Sequence, residues 1–163
     1  MTLNIGNIPE QKSVNGRAFP LVILPPDDAV ALEPTAMLDW FSGVKEAVHE
    51  KLITHGAILL RGFPVHDADL FEQLLNHSDY ENMPYIGGAA PRVQVTQSRI
   101  VTANEAPATE KIPFHHAMAQ TPNPPGYIFF YCDIPSETGW STSILPSSEI
   151  CQRFFDFAPA YAA

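Results

Sequence analysis

Six histidines and eighteen acidic residues are the groups in this chain best suited to hold a metal or move a proton. Two short stretches bring histidine into suggestive company: His77-Ser78-Asp79 and Phe114-His115-His116-Ala117-Met118. In an extended segment, side chains two residues apart point to one face, so His77 and Asp79 could chelate a single metal ion. The same residues also suit a helix C-terminus at which Asn76 and His77 cap carbonyl groups, and that reading is preferred. His115 and His116 are adjacent, so in a strand they face opposite ways and one metal takes only one of them. Other chemistries lack their motifs. The chain has no P-loop, no G-x-G-x-x-G, no G-x-S-x-G and no C-x-x-C.

The second stretch belongs to a longer pattern. Residues 114–118, then Pro124-Pro125, the run 127–132 and the segment 139–142 resemble the first metal-ligand region of the taurine dioxygenase-like (TauD/TfdA) family, in particular its clavaminate synthase-like branch. HGAILLRGF (55–63), YIGGAAPR (85–92) and TANEAP (102–107) match as well, so the resemblance runs from about residue 35 onwards. It implies a jelly roll (double-stranded β-helix), Fe(II) and 2-oxoglutarate as cofactors, and oxidation of a small organic substrate. Such iron needs two imidazoles and one carboxylate on one face, with positions left open for cosubstrate and O₂. By this resemblance His115 is the first iron ligand and position 117 the acid. Thr142 matches a threonine that helps hold 2-oxoglutarate, and Asn104 lies in a segment lining the site. Arg92 is a candidate site charge or, equally, part of an ion pair holding its loop.

The chain departs from that family in three ways. Position 117 is Ala, so the acidic ligand is missing. Trp140 stands where a second glycine follows Gly139. After His116 there is no further histidine and Arg153 is the only basic residue, so the distal histidine and arginine are absent. A dianionic cosubstrate would lack its bidentate anchor. Alanine at this position also occurs in halogenating relatives, where chloride fills the vacated site. The expectation is a dioxygenase-family protein that is inactive or incomplete in this chain. The alternatives are a non-catalytic interaction or scaffold protein, or a half-enzyme completed by another chain.

The elements that must position these residues follow from periodicity. AFPLVILP (18–25) reads as a first strand ending at Pro25-Pro26. Met37, Phe41, Val44, Val48 and Leu52 form a helical stripe, which Pro34 can start and Gly56 can end. GAILLRGF (56–63) reads as a buried strand, and 67–76 as a second helix with Leu70, Phe71, Leu74 and Leu75 at helical spacing. The region 78–114 is polar and turn-rich, with a possible strand at 93–102. YIFFYCDI (127–134) is the strongest strand signal and is apolar on both faces, so both should be covered. WSTSIL (140–145) is a further strand, and a helix starts at Pro146 or Ser147 and runs to Phe155. The predicted fold is α+β, mainly β, an incomplete jelly roll with N-terminal helices packed on the sheet. A jelly roll uses about eight strands, whereas only two follow residue 114. The strand 127–134 would then be an edge, and a homo-oligomer or a partner protein is expected.

Composition sets the frame. At 163 residues the chain is one domain, corresponding to the N-terminal part of the family's catalytic domain. A net charge of −9 argues against nucleic acid and against a membrane surface. Apolar residues make up 45%, enough to fold, and the 16 prolines favour short strands and fixed turns over a helix bundle. Two cysteines cannot build a disulfide framework, and Cys132, set in an apolar run, reads as an inert small hydrophobe. The N-terminus lacks the pattern of a signal peptide, which predicts a cytoplasmic protein in which the sequon Asn76-His77-Ser78 stays unmodified.

Overall fold

The computed structural model describes residues 2–103, 105–107, 109–138 and 141–161. It divides into two compact units: one formed by the chain up to Pro64 together with the segment from Thr142 onwards, the other by Val65–Ser141.

The first unit is organised by Leu21-Val22-Ile23-Leu24, which forms β4 (Leu21–Leu24). Leu21, Val22 and Ile23 are buried, and a run apolar on both faces belongs in the middle of a sheet. β4 accordingly lies between β1 (Asn4–Gly6), antiparallel to it, and β5 (Ile58–Leu60), parallel to it. A parallel neighbour requires a crossover, and α1 (Asp28–Leu32) and α2 (Pro34–His55) supply it. Asp27 caps α1 by accepting from Val30 N at 3.0 Å. Pro34 opens α2, and Gly56, at φ 78°, ends it in the left-handed conformation that a side chain would resist. α2 buries Met37, Leu38, Trp40, Phe41 and Val44, and Trp40 stacks on Phe63 with ring centroids 5.2 Å apart. The helix therefore packs on the sheet as predicted, and the stripe fades to half-buried Val48 and Leu52.

The predicted first strand is split in two. β3 (Arg17–Phe19) pairs with β2 (Lys12–Val14) across a turn in which Asn15 and Gly16 both have positive φ, and β4 starts after Pro20. Proline has no N–H to give a ladder, so the two strands serve different sheets. Arg17 Nη1 donates to Thr54 O at 3.1 Å, and His55 Nδ1 lies 2.9 Å from Ala18 O, tying the hairpin to the end of α2. β5 is shorter than predicted and half-buried rather than buried. α4 (Ser147–Phe157) starts where predicted, and none of its residues is buried.

In the second unit, α3 (Ala68–Asn76) is capped by Asp67, which accepts from Leu70 N at 2.7 Å. It buries Leu70, Phe71, Leu74 and Leu75, the four residues its spacing predicted. The segment 93–102 is not a strand. It doubles back on itself, with a single bridge between Gln94 and Val101. The largest correction concerns 127–134, which forms no strand and is not buried: Ile128 is 52% and Phe130 56% exposed, and Cys132 is exposed. Residues 141–145 form no strand either, while Trp140 lies outside the described residues. Hydrophobicity signals that a segment wants cover, but a strand also needs a neighbour to pair with. Among the described residues, regular structure is four α-helices, a 3-10 turn at Pro159–Tyr161 and five strands of three or four residues, in small open sheets rather than a closed barrel. No described helix is long and apolar enough to cross a membrane.

Candidate functional site

The second unit is held together around one carboxylate. Glu72, on α3, accepts at Oε1 from Thr96 Oγ1 (2.8 Å), Ser98 Oγ (2.7 Å) and Arg99 N (2.8 Å). The Ser98 hydroxyl, then Thr96 and Arg99, hold its carboxyl below the ordinary glutamate value. Arg99 in turn donates to Asn76 Oδ1 at 3.0 Å and to Tyr80 O at 2.8 Å. These bonds fix the doubled-back segment 93–102 on α3. They also fix where its two ends emerge.

At those ends Val93 N donates to Thr102 Oγ1 and Thr102 N to Val93 O, both at 2.9 Å. Arg92 Nη1 donates to Thr102 O at 3.0 Å, and its guanidinium carbon sits 4.4 Å from the centroid of the Tyr85 ring. Arg92 Nε is buried and has no hydrogen-bond partner. Arg92, as donor and cation, and then the Ala90 N–H, lower the Tyr85 phenol below its ordinary value. Gly88 is obligatory here: a Cβ on it would fall 1.9 Å from Tyr85 Cζ. The loop 85–92 is thus wrapped on its own tyrosine.

The same loop meets the turn that follows the histidine pair. Gln120 Nε2 reaches Gly87 O at 3.5 Å, and a Cβ on Gly87 would lie 3.7 Å from Thr121 Cγ2. Thr121 closes the turn by donating to Met118 O from both N and Oγ1. Just before it, His115 is exposed and its Nδ1 is 2.9 Å from Pro113 O. A carbonyl only accepts, so in the neutral ring Nδ1 carries the proton and Nε2 keeps its lone pair. That tautomer leaves Nε2 able to ligate a metal.

A metal ligand set does not form around it. Ala117 offers no oxygen, and among the described residues no three His, Cys, Asp or Glu side chains converge. The residues present fit one ligand of an iron centre and not the whole set. Thr142 belongs to the first unit and is exposed. Asn104 lies outside the described residues. His77 caps α3, with its Nδ1 2.7 Å from Gln73 O, in agreement with the capping role its position predicts. Glu72 and Tyr85 were not singled out from sequence. Tyr85 and Gly88 both sit in the motif 85–92, but their contact depends on a fold-back no spacing rule reveals.

The chain belongs to the family described as Taurine catabolism dioxygenase TauD, TfdA family, whose model matches residues 24–157. It is 39% identical over 157 residues to a clavaminate synthase-like protein of Arabidopsis thaliana, an alignment covering 94% of this chain and 47% of that protein. It is 30% identical over 103 residues to the dapdiamide synthesis protein DdaC of Enterobacter agglomerans, covering 63% of this chain and 31% of that one. The chain therefore spans less than half the length of these curated relatives.

Proposed function

We propose that this chain carries the first-histidine side of an Fe(II)- and 2-oxoglutarate-dependent oxygenase site, and that these 163 residues alone do not turn over. The observation that carries the reading is His115, whose Nδ1 lies 2.9 Å from Pro113 O so that Nε2 keeps its lone pair, while position 117 is Ala. In the family, oxidation of a small organic substrate is coupled to decarboxylation of 2-oxoglutarate. His115 is assigned the first iron-ligand role, and Thr142 and Asn104 the cosubstrate side. Arg92 is assigned to holding the 85–92 loop against Thr102, since its guanidinium is engaged there. The second imidazole and the anchoring arginine must come from polypeptide beyond these residues, within a jelly roll that such polypeptide completes.

Anaerobic titration with Fe(II) and 2-oxoglutarate tests the reading. One imidazole is too few ligands, so no visible metal-to-ligand charge-transfer band should develop. A band at near-stoichiometric iron would reveal an unrecognised ligand set and sink it. A second reading, a non-catalytic scaffold, is favoured by Ala117 itself, because a methyl group cannot ligate. Recovery of activity when the relatives' remaining half is supplied would exclude it.

A further inference from the structure

The β2–β3 hairpin turns through Asn15 and Gly16, at φ of 51° and 75°, and takes no part in the proposed iron chemistry. Among the asparagines of the chain, Asn15 is the one that precedes a glycine. Both residues are exposed. Neither the Asn15 side chain nor the Gly16 N–H is hydrogen-bonded to another described residue. A Cβ placed on Gly16 would meet no atom within 4 Å, so the space beside its nitrogen is open. An unengaged main-chain nitrogen next to an unengaged side-chain amide is a nucleophile beside an acyl group. Glycine lacks the side chain that crowds such an attack at other residues. The flanking strands have three residues each, and a two-stranded hairpin of that size is marginal on its own. It therefore opens often enough for the Gly16 nitrogen to swing onto Asn15 Cγ.

We propose that Asn15 is a self-modification site, at which the chain converts its own side-chain amide to aspartate and isoaspartate with water as co-reactant. Solvent base takes the Gly16 N–H proton, and the nitrogen bonds to Asn15 Cγ. The Cγ–Nδ2 bond breaks, Nδ2 takes up a proton and leaves as ammonia, and a five-membered imide remains. Water then cleaves one of the two C–N bonds of the imide. Cleavage at Cγ gives aspartate, and cleavage at the main-chain carbonyl gives isoaspartate. No oxidant or reductant takes part. The isoaspartyl product routes the main chain through Cβ, so the loop gains a methylene group and no longer fits the positive-φ pair that closes a two-residue hairpin. Arg17 Nη1 and His55 Nδ1 tie this hairpin to the end of α2 through Thr54 O and Ala18 O. Conversion at Asn15 thus loosens β2 and β3 and then those two ties, while β4 and α2 keep their buried residues.

The test is incubation of the whole chain in mildly alkaline buffer, followed by mass spectrometry of the tryptic peptide Ser13–Arg17, which Lys12 and Arg17 delimit. The expected result is release of ammonia and a new carboxylate at position 15, part of it isoaspartate. Conversion at Asn15 should run at least tenfold faster than at Asn7, an exposed asparagine followed by β-branched Ile8. In the isoaspartyl fraction, amides 12–14 and 17–19 should exchange with deuterium at least tenfold faster than in the fresh chain. Asn15→Gly removes the amide and keeps a pair of residues suited to positive φ, so its aged form should hold its fresh exchange rates within twofold. The proposal is overturned by conversion no faster than at Asn7, or by conversion seen only in urea. It is equally overturned by isoaspartate that leaves exchange in β2 and β3 unchanged, or by aged Asn15→Gly loosening as much as the parent chain.

Discussion

At the scale of single residues, two small side chains decide what the site can do. On the proposed reading Ala117 puts a methyl group at the position of the acidic ligand, so both lone pairs and negative charge are lost there. Restoring them with Ala117→Glu rebuilds the His115-x-carboxylate pair but supplies neither a second imidazole nor an arginine. Succinate release from 2-oxoglutarate should stay at background in both chains, and decarboxylation by the variant would show that the existing groups suffice. Gly88 decides in the opposite sense, by leaving room. The Tyr85 ring occupies the place of its missing Cβ, at 1.9 Å from Cζ. Gly88→Ala must push the ring off the Arg92 guanidinium. Overpacking of this kind costs about 1–3 kcal/mol. Absorbance titration should show the Tyr85 phenol rising back towards its ordinary value. A phenol that still titrates below it in the variant would mean that Arg92 follows the ring.

At the scale of elements, Glu72 stands to α3 and the 93–102 segment as a pin. Three donors converge on one carboxylate oxygen, two of them hydroxyls. Glu72→Ala leaves all three without their acceptor, which predicts a loss of about 1–3 kcal/mol, measurable by urea denaturation followed at the aromatic residues packed on α3. Glu72→Gln keeps an acceptor oxygen and should lose less; equal losses would mean that packing, not hydrogen bonding, holds the segment. α2, α3 and the start of α4 were legible because each carries its own punctuation: Pro34 and Gly56, Asp67, Pro146. β1, β2 and α1 were not, since three to five residues give too little periodicity to read. The segment 127–134 misled for a different reason. Its apolar residues record a demand for cover that the described residues do not meet, and hydrophobicity alone does not say who meets it. The motif singles out His115 as a candidate but not the carbonyl beside its Nδ1, because Pro113 O carries no side-chain signature.

Taken whole, the molecule has cores of unequal build. The first unit buries Val22 and Ile23 completely and Met37 and Val44 almost so, with a sheet against a helix of 22 residues. The second relies on one face of the nine-residue α3 and on the hydrogen bonds to Glu72. Regions with fewer buried apolar contacts and more exposed hydrogen bonds open at lower free energy. At neutral pH, amides of α3 and of 93–102 should therefore exchange faster than those of β4 and α2. Acid should widen the gap. The Glu72 carboxyl is held below its ordinary value in the folded protein, so between the folded and unfolded values the unfolded state binds more protons. Its contribution is complete above the unfolded value and is lost as pH falls through the folded one. β4 and the buried face of α2 carry no such carboxylate. Hydrogen exchange followed from pH 7 down through the carboxylate range should lose protection in α3 and 93–102 first, while β4 and α2 stay closed. Glu72→Gln has nothing to titrate at that position and should shift this early loss to lower pH. Simultaneous loss in both units, or an unchanged profile in the variant, would mean that another carboxylate governs acid unfolding.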